Sequence, residues 1–282
     1  MVASLFLILV ATGNLPFTGN DDGNAAATKT DRFDGPAAFG LLKLQLSYGE
    51  RPAGSAQSRK LAAKLKAMLP QGRFQKVPGG LRNVVGTVPG KQPSRFVVVG
   101  AHYDSKDIPG FLAANDGAAG TAAVVQLARQ LKPHTIGPTV KFVLFDGEET
   151  PRGVPDEQFL QKGIRGSKVA ARKFAKAESM ILLDFVADRH LTLPREGSSN
   201  LKLWAKLRAA ATRSGVGSYF PASSDVTIED DHTPFLQRGV PSINLIDWDF
   251  PCWHKTCDNL SAVSEKSLDA SGEAVAALLP TL

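Results

Sequence analysis

The sequence predicts an α/β fold, a three-layer α/β/α sandwich around a central mixed, mostly parallel sheet, in a single domain. Three observations carry that expectation. Short β-branched or apolar runs alternate along the chain with longer segments of helical periodicity. Several of those runs lack any polar alternation, the mark of strands covered by helices on both faces. The composition, 43% hydrophobic and 21% charged over 282 residues, suits a chain that buries one large core.

Taken in order, the apolar run around Leu5 to Val10 is too short to span a bilayer with ease and has the length of a signal h-region, although the MVAS ahead of it lacks Lys or Arg. Ala25, Ala26 and Ala27 offer small residues for cleavage, and NDDGNAAATK has linker composition. Residues 1–29 are therefore expected to form a leader and linker, and residues 30–282 one globular domain. The expected location is secreted or cell-envelope, with an uncleaved membrane tether left open.

FDGPAAFGLLKLQL, with Pro36 at a tolerated early position, and Ser58 to Leu69 read as helices. RNVVGTVP and RFVVVGAHYD follow as strands. Asp116 to Leu131 is rich in small residues and apolar at helical spacing, and TVKFVLFDG is another buried strand. The alternation continues with a helix near Ser167 to Lys176, a strand SMILLDFVA, a helix near Asn200 to Ser214, a strand PSINLID and a closing helix from Ser264 to Leu279.

The formal charge of +6 falls largely on segments such as SRKLAAKLKAML and LKLWAKLRAAATR, where it reads as solvated helix faces. A nucleic-acid interface is not expected, because no basic stripe interleaved with aromatics and no binding motif occurs. The two cysteines, Cys252 and Cys257, bracket WHKT. A disulfide pinning that loop and a pair of free thiols are both open. A tetrahedral structural zinc site is not, for want of a second pair.

In open α/β sheets, sites gather beyond the carboxyl ends of the strands. There the sequence places His102 and Asp104 after VVVGA, Glu148 and Glu149 after FVLFDG, Asp184 after MILL, and a loop from SINLID that reaches His254. Asp116 stands where a loop enters a helix. Singly, each has a bland reading as a packing histidine, a solvated Glu or a capping Asp. Two adjacent carboxylates ending an apolar strand are costly near a core unless a cation or a proton-transfer role accounts for them. Carboxylates and imidazoles without paired cysteines favour zinc. Asp104 has two readings, an orienting partner for the His102 imidazole or a turn residue.

The series HYD, NDGAAGT, FDGEE, ILLDF, DDHTPFLQRGVP and WH resembles the zinc aminopeptidase and glutaminyl-peptide cyclotransferase family, over roughly Phe33 to Leu282. The resemblance implies a metal site at the sheet rim and a peptide substrate with a free N-terminus. For an aminopeptidase it implies two zinc ions, Asp116 bridging them, His102 and Asp184 holding one, Glu149 and His254 the other, with Glu148 as general base. For a cyclotransferase it implies one zinc on Asp116, Glu149 and His254, with Glu148 carrying a proton and Asp184 and Asp230 sharing one. The DDH triplet and Trp253 beside His254 tilt the reading toward cyclisation of N-terminal glutamine. Trp253 and Phe250 are the expected pocket walls. Val154 and Asn244 stand where animal cyclotransferases carry an aromatic and a histidine, which bears on substrate contacts and not on the metal positions. A receptor-like relative without activity would be expected to have lost ligands, and here every position is filled.

Overall fold

Five apolar runs and one polar edge segment pair edge to edge because each has backbone groups to satisfy, and the apolar runs have faces to hide. In the computed structural model, which describes residues 31–282, the strands are β1 (Arg73–Val77), β2 (Leu81–Val88), β3 (Gln92–His102), β4 (Pro138–Phe145), β5 (Met180–Leu183) and β6 (Ser242–Leu245). They form one sheet in the order β1-β2-β4-β3-β5-β6. β4, β3, β5 and β6 run parallel, whereas β1 and β2 add an antiparallel edge. The leader residues, from Leu5 to Val10 through Ala27, lie outside the described residues.

The helices are α1 (Gly35–Leu46), α2 (Ala56–Met68), α3 (Gly120–Gln130), α4 (Phe159–Lys162), α5 (Arg165–Lys173), α6 (Leu201–Arg213), α7 (Thr233–Leu236) and α8 (Glu265–Leu278). Their starts follow the capping chemistry in the letters: Asp34 accepts from the Ala37 amide, Asn200 from Leu203 and Ser264 from Ser267. Alternate residues of β3 explain the layering. Val97, Val99 and Ala101 enter the larger core with Leu42, Leu61, Val124, Leu207 and Leu278, whereas Val98 enters a smaller one with Ala170, Phe174 and Phe235. The sheet is thus covered by α1, α2, α3, α6 and α8 on one face and by α5 and α7 on the other. Among the described residues no helix is long and apolar enough to cross a membrane.

Three local expectations are corrected. The helix read from Asp116 begins only at Gly120. Ala114–Ala119 forms a kinked turn in which Asp116 (φ −91°, ψ 79°) and Gly117 (φ 137°) are not helical. Strand β5 stops at Leu183 because Asp184 turns away into the rim loops. Strand β1 was not anticipated: RFQKV is mostly exposed and closes on β2 through Gly79 and Gly80, both at positive φ, so it carries the polar pattern of a sheet edge.

Candidate metal centre

The parallel register brings the ends of β3, β4, β5 and β6 to one rim, where most of the charged residues singled out above leave the sheet. His102 is the last residue of β3, the Glu148–Glu149 turn follows β4, Asp184 follows β5 and His254 lies on the loop after β6. Asp116 arrives from the kinked turn before α3. Gly117 is what permits that kink, since a Cβ there would lie 2.6 Å from His102 Cε1 and the backbone sits at φ 137°.

Two clusters share Asp116. Donor atoms of Asp116, Glu149 and His254 lie within 4.8 Å of one another, as do those of His102, Asp116 and Asp184. His254 Nε2 is 3.3 Å from Glu149 Oε1 and 3.6 Å from Asp116 Oδ2. His102 Nε2 is 3.3 Å from both Asp116 Oδ1 and Asp184 Oδ1. Donors about 2.0–2.2 Å from one tetrahedral zinc stand about 3.3–3.6 Å apart, so these edges have the right length. Asp116 Oδ2 and Glu149 Oε1 are buried without a hydrogen-bond partner, as a metal-directed oxygen would be. The donor set and its unpaired oxygens fit zinc.

Electrostatics point the same way. Burial pushes the Glu148 and Asp184 carboxyls well above their usual range, and nearby Glu149 or Asp230 adds to it. Burial also raises Asp230, against which His232 and the Asp231 amide act. For Glu149 burial is outweighed by His254 and Lys106, which hold it below the usual range. Carboxylates thus outnumber cations in a desolvated space, an imbalance that a divalent ion offsets.

A cavity of about 400 Å³ opens over this cluster, lined by Asp116, Glu148, Glu149, Asp184 and Asp230 together with Phe185, Ile246, Trp248 and Trp253. Trp253 stacks on His254 at 4.6 Å between ring centroids and leans on Trp248 at 4.9 Å.

Comparison with known proteins gives this rim its relatives. Residues 83–279 match the model of peptidase family M28. The chain belongs to that family. Among M28 relatives, the glutaminyl-peptide cyclotransferase of Drosophila melanogaster is 30% identical over 224 residues, covering 66% of this chain and 61% of that protein. An aminopeptidase of Bacillus subtilis is 27% identical over 218 residues, 70% of this chain and 43% of that protein. The structure of Porphyromonas gingivalis glutaminyl cyclase superposes with a TM-score of 0.77 at 26% identity, over 89% of this chain and 99% of that one. The chain spans about three fifths of the length of the cyclotransferase it matches.

Within this M28 rim some expected residues take other places. Asp104 does not hydrogen-bond His102: Nδ1 to Oδ1 is 3.8 Å. Its oxygens instead accept from the amides of Gly147, Glu148 and Glu149 at 3.0, 3.3 and 3.2 Å, so it clamps the turn that carries the Glu pair. Phe250 is not on the cavity wall. It is buried behind Phe185, ring centroids 5.9 Å apart, and Trp248 and Phe185 take the position expected of it. Asp230 faces the cavity, and the hydrogen bonds it accepts come from Asn244 Nδ2 at 2.7 Å and the Asp231 amide. Of the two departures noted in the sequence, Asn244 therefore lies against Asp230, whereas Val154 is off the wall and Phe159 is on it.

Sequence reasoning passed over several residues that hold the site together. Arg51, fully buried, donates to the carbonyls of Gly49, Leu112 and Ala113 and so fixes the approach to Asp116. Asp258 accepts from the amides of Asn115 and Asp116 at 2.8 and 3.0 Å. Lys106 Nζ lies 3.3 Å from Glu149 Oε2. Asp258 and Lys106 sit beside motifs already noticed and Arg51 does not, but all three bind residues remote in sequence.

Proposed function

We propose that this M28 chain is a zinc-dependent glutaminyl-peptide cyclotransferase, which converts the N-terminal glutamine of a peptide to pyroglutamate with release of ammonia. The observation that carries the reading is the cavity itself. The Asp116, Glu149 and His254 donors share the cavity with the aromatic residues Phe185, Trp248 and Trp253 and with the carboxyls of Glu148, Asp184 and Asp230. That is a recess for one side chain with an apolar stem and an amide tip. The Drosophila and Porphyromonas relatives named above support the same class.

Asp116, Glu149 and His254 would hold the zinc, which when bound supplies Lewis acidity to the substrate's amide carbonyl. The chain's own residues do the rest. The aromatic wall packs the glutamine stem and turns the side chain back on its own α-amine. Glu148, buried and unattached to either histidine, takes a proton as the amine nitrogen bonds to the amide carbon, and gives it to the departing nitrogen as the old C–N bond breaks. The atoms balance as pyroglutamyl peptide and ammonia. Asp184 and Asp230, close enough for one charge to raise the other, would hold a proton at the cavity lining. Export, to the medium or the cell envelope, is part of the proposal. It is supported by the leader-like Leu5 to Val10 run and by a disulfide, which persists in oxidising compartments.

A second reading has its own observation: the His102, Asp116 and Asp184 cluster has the same spacing as the first, so a second zinc and aminopeptidase hydrolysis fit the geometry. One experiment separates them. A Gln-initiated peptide incubated with the zinc-loaded protein should release ammonia and stay full length, with one zinc per chain. Free amino acid and two zinc ions per chain would replace the first reading by the second.

A further inference from the structure

The loop that delivers His254 has little to hold it. Trp253, Lys255, Thr256 and Cys257 are exposed, and the turn from Cys252 to Lys255, closed by the Lys255 amide on the Cys252 carbonyl, places His254 third at φ 52°. That position and sign of φ favour glycine or asparagine, so a histidine persists there only where the surroundings over-determine it. Two constraints frame the segment. The Cys252–Cys257 disulfide closes a ring around Trp253 and His254. The next residue, Asp258, is buried and binds the Asn115 and Asp116 amides with its carboxylate and the Ala114 amide with its carbonyl.

We propose that the Cys252–Cys257 bridge is a positioning device for the metal centre, coupling His254 to Asp116 through Asp258. The chain of contacts is continuous. Asp258 fixes the backbone of Asp116, Cys257 precedes Asp258, the bridge ties Cys257 to Cys252, and the turn begun at Cys252 aims His254 at Asp116 and Glu149. Without the bridge, Asp258 still holds Asp116 and, through its amide on the Lys255 carbonyl, the end of the turn, but Cys252 at the start of the turn loses its covalent tie to Cys257. The His254 turn can then relax toward negative φ, which swings the imidazole away from its partners. Phe111, edge-on to His254 at 6.1 Å, and Trp248 against Trp253 restrain the rings and do not close the backbone ring. The proposal rests on zinc binding at Asp116, Glu149 and His254 but not on which reaction follows. Exposure of Cys257 makes the bridge accessible to a thiol reductant, so the centre's metal affinity would respond to redox conditions.

The test uses the full chain, intact, with both cysteines changed (Cys252→Ser with Cys257→Ser), and as the wild type reduced under native conditions. Thiol alkylation with mass spectrometry reports the state of the bridge. Zinc affinity is read by competition with a chromophoric chelator, and unfolding midpoints are taken with and without zinc. Loss of a partner that orients a ligand typically weakens metal binding about 10- to 100-fold. We expect that loss in both bridge-free forms, with the zinc-induced rise in midpoint shrinking while the zinc-free midpoint moves little. Zinc affinity within twofold of the intact protein would overturn the proposal, as would an equal fall of both midpoints with unchanged affinity. If the double variant fails to fold, the reduced wild type decides by the same criterion. Failure of the intact protein to bind zinc at all would instead sink the metal reading itself.

Discussion

Replacing Asp104 with asparagine keeps the side chain's shape while removing the charge beneath the Glu148–Glu149 turn. Asp104 is fully buried and accepts three amide hydrogen bonds, from Gly147 and Glu148 on one oxygen and from Glu149 on the other. The best placement of asparagine leaves its oxygen under Gly147 and Glu148 and sets its NH₂ against the Glu149 amide, donor facing donor. One orphaned buried amide costs about 1–3 kcal/mol, and two bonds that lose charge assistance cost about 1 kcal/mol each. The sum, about 3–5 kcal/mol, is a large part of the 5–15 kcal/mol that typically separates folded from unfolded chains. At about 2–4 °C per kcal/mol for a chain of this size, the unfolding midpoint should fall by about 6–20 °C. Thermal unfolding followed by circular dichroism, with the turnover of Gln-initiated peptide measured well below the midpoint, tests both parts. The same turn carries Glu148 and Glu149, so turnover should fall in the folded fraction as well. A midpoint within about 2 °C of wild type, with normal turnover, would show that Asp104 is not the clamp of this turn.

Glu148→Gln should lower kcat by about 10²- to 10⁴-fold while zinc content, measured by elemental analysis, stays at the wild-type value, because a proton carrier is lost and the Asp116, Glu149 and His254 donors are spared. Trp253→Ala should raise KM with a modest stability change, since Trp253 is 38% exposed on the cavity wall, whereas Phe250→Ala, 3% exposed behind Phe185, should cost about 3–5 kcal/mol in denaturant unfolding and leave KM nearly unmoved. Burial acts to raise the Glu196 carboxyl, but hydrogen bonds from His232 and the Ser198 and Ile228 amides outweigh it and bring the value down to about 2 from 4.5. A depressed folded value means stability that is fully present above pH ~4.5 and lost as pH falls from there through about 2. Acid titrations of wild type and Glu196→Gln should therefore differ in slope across that window, and parallel curves would refute the linkage.

Much of the fold could be read from the letters because strand and helix periods are local. The buried run RFVVVGAH really does send Val97 and Val99 to one face and Val98 to the other, and Asn200 and Ser264 cap the helices they precede. Strand β1 escaped because an exposed edge strand such as RFQKV has no apolar pattern to betray it. The start of α3 is not legible because NDGAAG has helix-compatible composition, whereas the kinked turn is held by the Asp258 carboxylate, which binds the Asn115 and Asp116 amides from far along the chain. Phe250 and Trp248 could not be told apart as wall residues. Both are aromatic, two positions apart on one loop, and which faces the cavity depends on how Phe185 from another strand end packs against them.

By itself the sequence determined which chemistry is available, for the identity of a donor atom belongs to the residue: acids and imidazoles at the ends of apolar runs, a Glu pair after β4, a Trp-His step between two cysteines. Tertiary structure alone decided which of these groups meet. Asp258 reaches the Asp116 amide across 142 positions, and His102 reaches Asp184 across 82. Such distances are set by strand order, register and crossover packing, which sum over the whole chain and leave no trace in any short stretch of it.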